Sequence, residues 1–104
     1  MDKKAIREIK FFARKLKKDF LINKVLFFGS RIGEDYFKHS DIDLIIVSED
    51  FEGIDFTKRM SMMYNYWNFE YDVDFLCYAP KEFDKLSKMI TIVREAVRNG
   101  ILIS

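Results

Sequence analysis

Residues Phe28–Val47 read FGSRIGEDYFKHSDIDLIIV. The apolar run Val25-Leu26-Phe27-Phe28 stops at Gly29-Ser30. Ten residues beyond that serine, Ser40 opens Asp41-Ile42-Asp43, which passes directly into Leu44-Ile45-Ile46-Val47. Side chains alternate along a strand, so Asp41 and Asp43 share one face while Ile42 and Leu44 turn into a core. Two adjacent carboxylates repel unless a positive charge lies between them, which asks for a divalent cation held by oxygen ligands. A Gly-Ser turn after a strand offers backbone N–H groups and a hydroxyl to phosphate oxygens. Metal and phosphate together point to nucleotide chemistry.

Downstream, Tyr71-Asp72-Val73-Asp74-Phe75-Leu76 repeats the alternation, with Asp72 and Asp74 opposite Val73 and Phe75. If this strand lies beside Asp41–Val47, Asp74 joins Asp41 and Asp43. Three carboxylates from two strands then suit two Mg²⁺ ions roughly 3.5–4 Å apart. Asp72 reads as solvent-facing. In the connecting segment, Gly29 lets backbone approach phosphates and Ser30 offers a hydroxyl and an N–H. Arg31 adds a fork of donors, Gly33 turns the chain back, and Ser40 braces it before Asp41. His39, the one histidine, reads as ordinary loop surface.

Around this centre the pattern is regular. Ile6, Ile9, Ala13, Leu16 and Phe20 recur three or four apart, which predicts an amphipathic helix over Asp2–Lys18. Its many lysines and arginines read as a solvated face, without aromatics interleaved on the polar side. Strands are expected from Asn23 or Lys24 to Phe28, over Asp41–Val47 and over Tyr71–Tyr78. A second helix is expected from about Asp55 to Trp67, where Met62 and Tyr66 exceed what one face can bury and become candidates for a partner surface. Pro80 suits a first helical turn, and Phe83, Leu86, Ile90, Val93 and Val97 continue one stripe to Asn99, with a break near Met89–Thr91. Gly100 is a stop signal before a short closing strand, Ile101–Ile103. The expected fold is α+β in two layers: a small mixed sheet of three or four strands with helices packed on one side.

Length and composition narrow the classes. A chain of 104 residues is expected to form one domain, 1–104. Its 49% hydrophobic and 16% aromatic content belongs to a folded protein. A net charge of +1 argues against general binding of long nucleic acid. A single cysteine excludes an internal disulfide, so Cys77 is expected as a core thiol and a reducing cytoplasm as the setting. No apolar stretch is long enough for a membrane span. Self-association is left open.

The pairing of Gly29-Ser30-Arg31 with Ser40-Asp41-Ile42-Asp43-Leu44, followed by the lone strand acid Asp74, resembles the minimal nucleotidyltransferase branch of the DNA polymerase β superfamily. The likeness runs from the leading helix to the Gly100-Ile101 strand. It implies a polymerase-β-like core and an Mg²⁺-dependent enzyme that uses a nucleoside triphosphate, most often ATP. Asp41, Asp43 and Asp74 are then the catalytic and metal-binding acids, and Gly29, Ser30, Arg31, Gly33 and Ser40 the nucleotide-binding residues. It further implies pairing with a small helical HEPN-type ribonuclease toxin, on whose tyrosine the family's antitoxins place AMP. The loop departs from the usual Gly-Ser-x-x-Arg-Gly: Ile32-Gly33 follow Arg31, so a second arginine is absent. That departure bears on triphosphate affinity and leaves the carboxylates intact. With no residues to spare for an acceptor domain, the acceptor is expected on another molecule. The alternative is a non-catalytic antitoxin that blocks its partner by occlusion.

Overall fold

The computed structural model describes residues 3–28 and 42–104. Helix α1 (Lys3–Asp19) leads into strand β1 (Ile22–Phe28). Strand β2 (Ile42–Ser48) ends in a single 3₁₀ turn, Glu49–Phe51, and helix α2 (Phe56–Tyr64) carries the chain to β3 (Val73–Tyr78). Two short helices, α3 (Pro80–Ser87) and α4 (Ile92–Asn99), precede the closing strand β4 (Ile101–Leu102). The strands lie in the order β3-β2-β1-β4. β1 is antiparallel to both β2 and β4, and β2 is parallel to β3, so the sheet is mixed. Among the described residues no helix is long and apolar enough to cross a membrane.

The alternation read from the sequence sorts the core into two faces. Val25 and Phe27 of β1, Ile42, Leu44 and Ile46 of β2, and Val73, Phe75 and Cys77 of β3 pack with Ile9, Phe12 and Leu16 of α1 and with Met63 of α2. Phe12 stacks on Phe75 at 5.4 Å and meets Trp67 edge-on at 5.1 Å. Each such fully buried side chain contributes about 1.5–3 kcal/mol by leaving water. Burial pushes the Cys77 thiol up to about 12, with the nearby Arg59 charge opposing, which makes it the inert core thiol expected.

The opposite face is also covered, which corrects the expectation of helices on one side. Leu26, Phe28, Ile45 and Val47 pack against Phe83 of α3 and against Val93 and Ala96 of α4. The reason lies in β2 itself. Five consecutive buried residues, Leu44–Ser48, leave neither face free to meet water, so both need a cover. Phe83, Leu86, Val93 and Ala96 supply it from two helices divided by the Lys88–Thr91 turn, whereas Ile90 and Val97 of the expected stripe face solvent. Thr91 secures that turn: its hydroxyl donates to Leu86 O (2.7 Å) and accepts from Arg94 N (3.2 Å). Gly100 is needed at the end of α4 because a Cβ there would lie 2.4 Å from Ala96 O and 3.0 Å from Phe27 O.

Helix α2 and the segment after it guard the free edge of β3. In this parallel ladder the carbonyls of Val73 and Cys77 point away from β2, and each meets a side chain. Tyr64 Oη donates to Val73 O at 2.7 Å and Arg59 Nη1 to Cys77 O at 3.1 Å. Just before the strand, Trp67 Nε1 donates to Tyr71 O at 2.9 Å. These bonds occupy part of the edge that a further strand would need. Met62 and Tyr66, expected as a partner surface, instead pack on the core; Tyr66 donates to Asp19 Oδ2 at 2.7 Å, tying it to α1.

Arg59 does more than guard an edge. Only 6% exposed, it also donates to Ile54 O (2.8 Å), forks onto Glu82 (2.6 and 3.3 Å) and lies over the Phe51 ring. Glu82 in turn accepts the Ala79 N–H at 2.7 Å, capping α3. One ion pair joins the end of β2, α2, the end of β3 and the start of α3. Arg59→Ala should therefore cost about 2–3 kcal/mol in urea unfolding, because Glu82 and two carbonyls lose their donor. The hydrogen bond from Arg59 holds the Glu82 carboxyl below its ordinary value, against partial desolvation and with help from the Ala79 N–H. A carboxyl lowered in the folded state stabilises fully at neutral pH and loses that contribution as pH falls through the acidic range. The stability gap between the parent and Glu82→Gln should accordingly shrink between about pH 7 and pH 3; a gap that stays constant would deny the ion pair its role.

Candidate active site

The parallel register between β2 and β3 decides which acids can meet. Ile42 lies opposite Val73, Asp43 opposite Asp74 and Leu44 opposite Phe75. Ile42 and Val73 turn into the α1 face, so Asp43 and Asp74 emerge together on the other. The first rung beneath them is the Ile42 N–H to Asp72 O bond at 2.8 Å. On the other side of Asp43, across the antiparallel pair, stands Phe28. A row therefore crosses the sheet at one end: Phe28, Asp43, Asp74.

Neighbouring strands lie about 4.8 Å apart, which puts the two carboxylates within reach of one small cation. Asp43 is half-buried beside the buried Phe28 ring, and Asp74 is exposed. An apolar wall on one side and water on the other suit a site that must bind charge and admit a ligand. The next rung along the same face, Leu26, Ile45 and Leu76, is already under α3 and α4. The carboxylate end of the sheet is where that apolar cover stops.

The expected convergence of Asp74 with the Asp-x-Asp strand is thus present for Asp43. Asp41, Gly29, Ser30, Arg31, Gly33, His39 and Ser40 lie outside the described residues. Among the described residues no group of three or more His, Cys, Asp or Glu side chains gathers as a metal site. Asp72, exposed and just ahead of β3, matches its reading as a solvent-facing acid. The donor set formed by Asp43 and Asp74 is all oxygen, hard and anionic. It fits Mg²⁺ or Mn²⁺ and does not suit a thiolate-seeking metal. Phe28 was not singled out from the sequence as part of the site. Its parity with Leu26 and its place one residue before Gly29 were the available signals.

A cluster of perturbed acid–base groups lies away from the carboxylate row. Cys77 and Tyr78 are raised chiefly by burial and Glu82 is lowered by Arg59, all at the far end of β3. That cluster belongs to the structural ion pair and has no part in the carboxylate row.

Comparison with known proteins bears on the family and the fold. The family model described as "Polymerase beta, Nucleotidyltransferase" matches residues 10–103, nearly the whole chain. A crystal structure from Sulfolobus solfataricus, described as a nucleotidyltransferase, is similar in fold. It has a TM-score of 0.67 and 23% identity, covering 93% of this chain and 77% of that one. A second nucleotidyltransferase crystal structure is 27% identical, with a TM-score of 0.47 over 78% of this chain and 85% of the other. No curated protein shows significant sequence similarity to this chain.

Proposed function

The chain belongs to the polymerase β nucleotidyltransferase family, and from that premise we propose that it moves AMP from ATP to a hydroxyl acceptor, a tyrosine of a HEPN-type ribonuclease toxin, and so acts as an antitoxin. The observation that carries the catalytic half of this reading is the register that sets Asp43 beside Asp74. A binding module has no need for two acids on adjacent strands at one level, with an apolar ring alongside. The nucleotide, the acceptor and the antitoxin role rest on the family resemblance of the Gly29-Ser30-Arg31 and Ser40–Leu44 segments.

Asp43 and Asp74, with Asp41, would hold Mg²⁺. When bound, such ions neutralise triphosphate charge and sharpen an acceptor hydroxyl as a nucleophile. The chain's own residues have the remaining tasks. Gly29 and Ser30 cradle phosphate oxygens with backbone N–H groups, and Arg31 opposes their charge. Asp74, the exposed member of the pair, faces the entering acceptor and takes its proton. The acceptor oxygen bonds to the α-phosphorus as the bond to pyrophosphate breaks in line. Covalent help from the protein is small; positioning and charge do the work.

The test combines the chain with the HEPN-type protein encoded beside it, Mg²⁺ and each nucleoside triphosphate, and weighs the partner by intact mass. An added AMP is expected with ATP. Asp43→Asn and Asp74→Asn should each slow the transfer by on the order of 10²-fold or more, with thermal unfolding little changed. A partner that loses ribonuclease activity without gaining mass would replace this reading by occlusion. A second check needs no partner: millimolar Mg²⁺ with ATP should raise the melting temperature, since ligands that bind only the folded state stabilise it. Asp74→Asn should remove most of that rise.

A further inference from the structure

Helix α1 concentrates the chain's positive charge. Its 17 residues carry eight basic side chains against two acidic ones, a net +6. The whole chain is only +1, which leaves the remainder at −5. This segregation is hidden in the overall balance that argued against nucleic acid.

The exposed side of α1 is also not purely polar, contrary to the expectation from its sequence. Phe11 lies nearly opposite the buried Ile9 and is 49% exposed. Its helical neighbours at three, four and seven residues are Lys4, Arg7, Glu8, Arg14, Lys15 and Lys18, all basic except one. Arg14 and Lys15 lie 5.9 and 5.6 Å from the Phe11 ring centre. Phe69 approaches the same ring edge-on at 6.2 Å. Together Lys4, Arg7, Glu8, Phe11 and Phe69 line an open depression of about 390 Å³. Within the lining residue Glu8, Oε2 is buried and has no hydrogen-bond partner among the described residues. That oxygen is closed to solvent and to a ligand alike, so only the other carboxylate oxygen of Glu8 can take an N–H or O–H from the depression.

We propose that this face of α1, centred on the Glu8–Phe11–Phe69 depression, binds single-stranded RNA. An unpaired base stacks against Phe11 and Phe69, as sequence-tolerant single-strand readers use aromatic platforms between cations. Glu8 accepts from the amino edge of that base or from a 2′-hydroxyl, the group that separates RNA from DNA. Arg7, Arg14, Lys15 and Lys18 meet successive phosphates. An acidic protein surface would answer the charge but would offer Glu8 only more acceptors. A duplex would keep its bases stacked away from Phe11. The surface also has a direction. Lys4 lies 6.0 Å from the centre of the Tyr71 ring, at the entrance to β3, so the N-terminal end of the stripe reaches the end of the sheet that bears Asp43 and Asp74. This inference goes beyond nucleotidyl transfer and does not depend on it.

Fluorescence anisotropy of the full chain with a labelled, unstructured RNA oligonucleotide of about a dozen nucleotides tests it, at about 50 mM salt and upwards. Binding that weakens steeply with salt is expected. Phe11→Ala should weaken it about fivefold or more, since stacked bases contribute strongly. Arg14→Ala with Lys15→Ala should weaken it further and reduce the salt slope by about one for each phosphate no longer neutralised. Lys85→Ala with Lys88→Ala, exposed cations on α3, should leave it unchanged. Melting curves of the exposed-site variants should match the parent. The proposal is overturned by absence of RNA binding at low salt. It is equally overturned if Phe11→Ala binds like the parent, if duplex or the same DNA strand binds more tightly, or if polyglutamate displaces the RNA at equal charge.

Discussion

The candidate site depends on a single constraint, the parallel register of β2 against β3. The side-chain period along a strand is two, so a slip of one residue would send Asp74 into the α1 face and bring Val73 or Phe75 out to water. That face already holds Phe12, Met63 and Leu44, none of which can hydrogen-bond a carboxylate. Burying an unpaired charge there would cost far more than a strand register ordinarily contributes. The apolar residues that stabilise the sheet therefore also enforce the pairing of Asp43 with Asp74. Core packing and site geometry are one requirement, expressed on two faces of the same strands.

What holds the register lies at the other end of the sheet. Arg59, forked onto Glu82 and bonded to Cys77 O and Ile54 O, joins α2 to the exits of β2 and β3. Tyr64 and Trp67 fasten the outer side of β3 near its start. The strand is thus tied along its free edge from Tyr71 to Cys77, while its inner edge carries the ladder. Short α3 and α4 seal the second face only over its apolar part. Among the described residues these ties and the apolar cover of α3 and α4 lie behind the carboxylates.

Much of this was legible in the sequence, because alternation in strands of six or seven residues is a strong signal. The three longer strands followed from it, while apolar spacing of three or four gave the first two helices and the break before Thr91. Placing Asp74 beside the Asp-x-Asp strand needed only that the two strands be neighbours, as they are. Three features were not legible. The double-sided cover needed the observation that β2 is buried on both faces, which a short apolar run does not distinguish from one-sided burial. Arg59 carried no signal in the sequence, because its partners, Glu82 and Cys77 O, are 23 and 18 residues away. Phe11 was hidden by its neighbours: an apolar residue beside Phe12 reads as core, and only the observed burial separates the two rings. The residues expected to cradle phosphate lie outside the described part, so the fold bears on the metal-binding half of the site.

The distribution of charge follows from the same division of labour. Paired carboxylates at a strand end repel anions unless a cation lies between them, and the charge outside α1 is negative in sum. A helix of net +6 on the same small body offsets this at distances up to the Debye length, about 8–10 Å at physiological salt. Lysines placed on the carboxylate row would compete for Asp43 and Asp74 with any bound cation. They sit instead on a helix against the opposite face of the sheet, so the positive charge and the carboxylate row occupy different surfaces. The sheet between α1 and the carboxylate row keeps the two sets of charge from neutralising each other at contact distance.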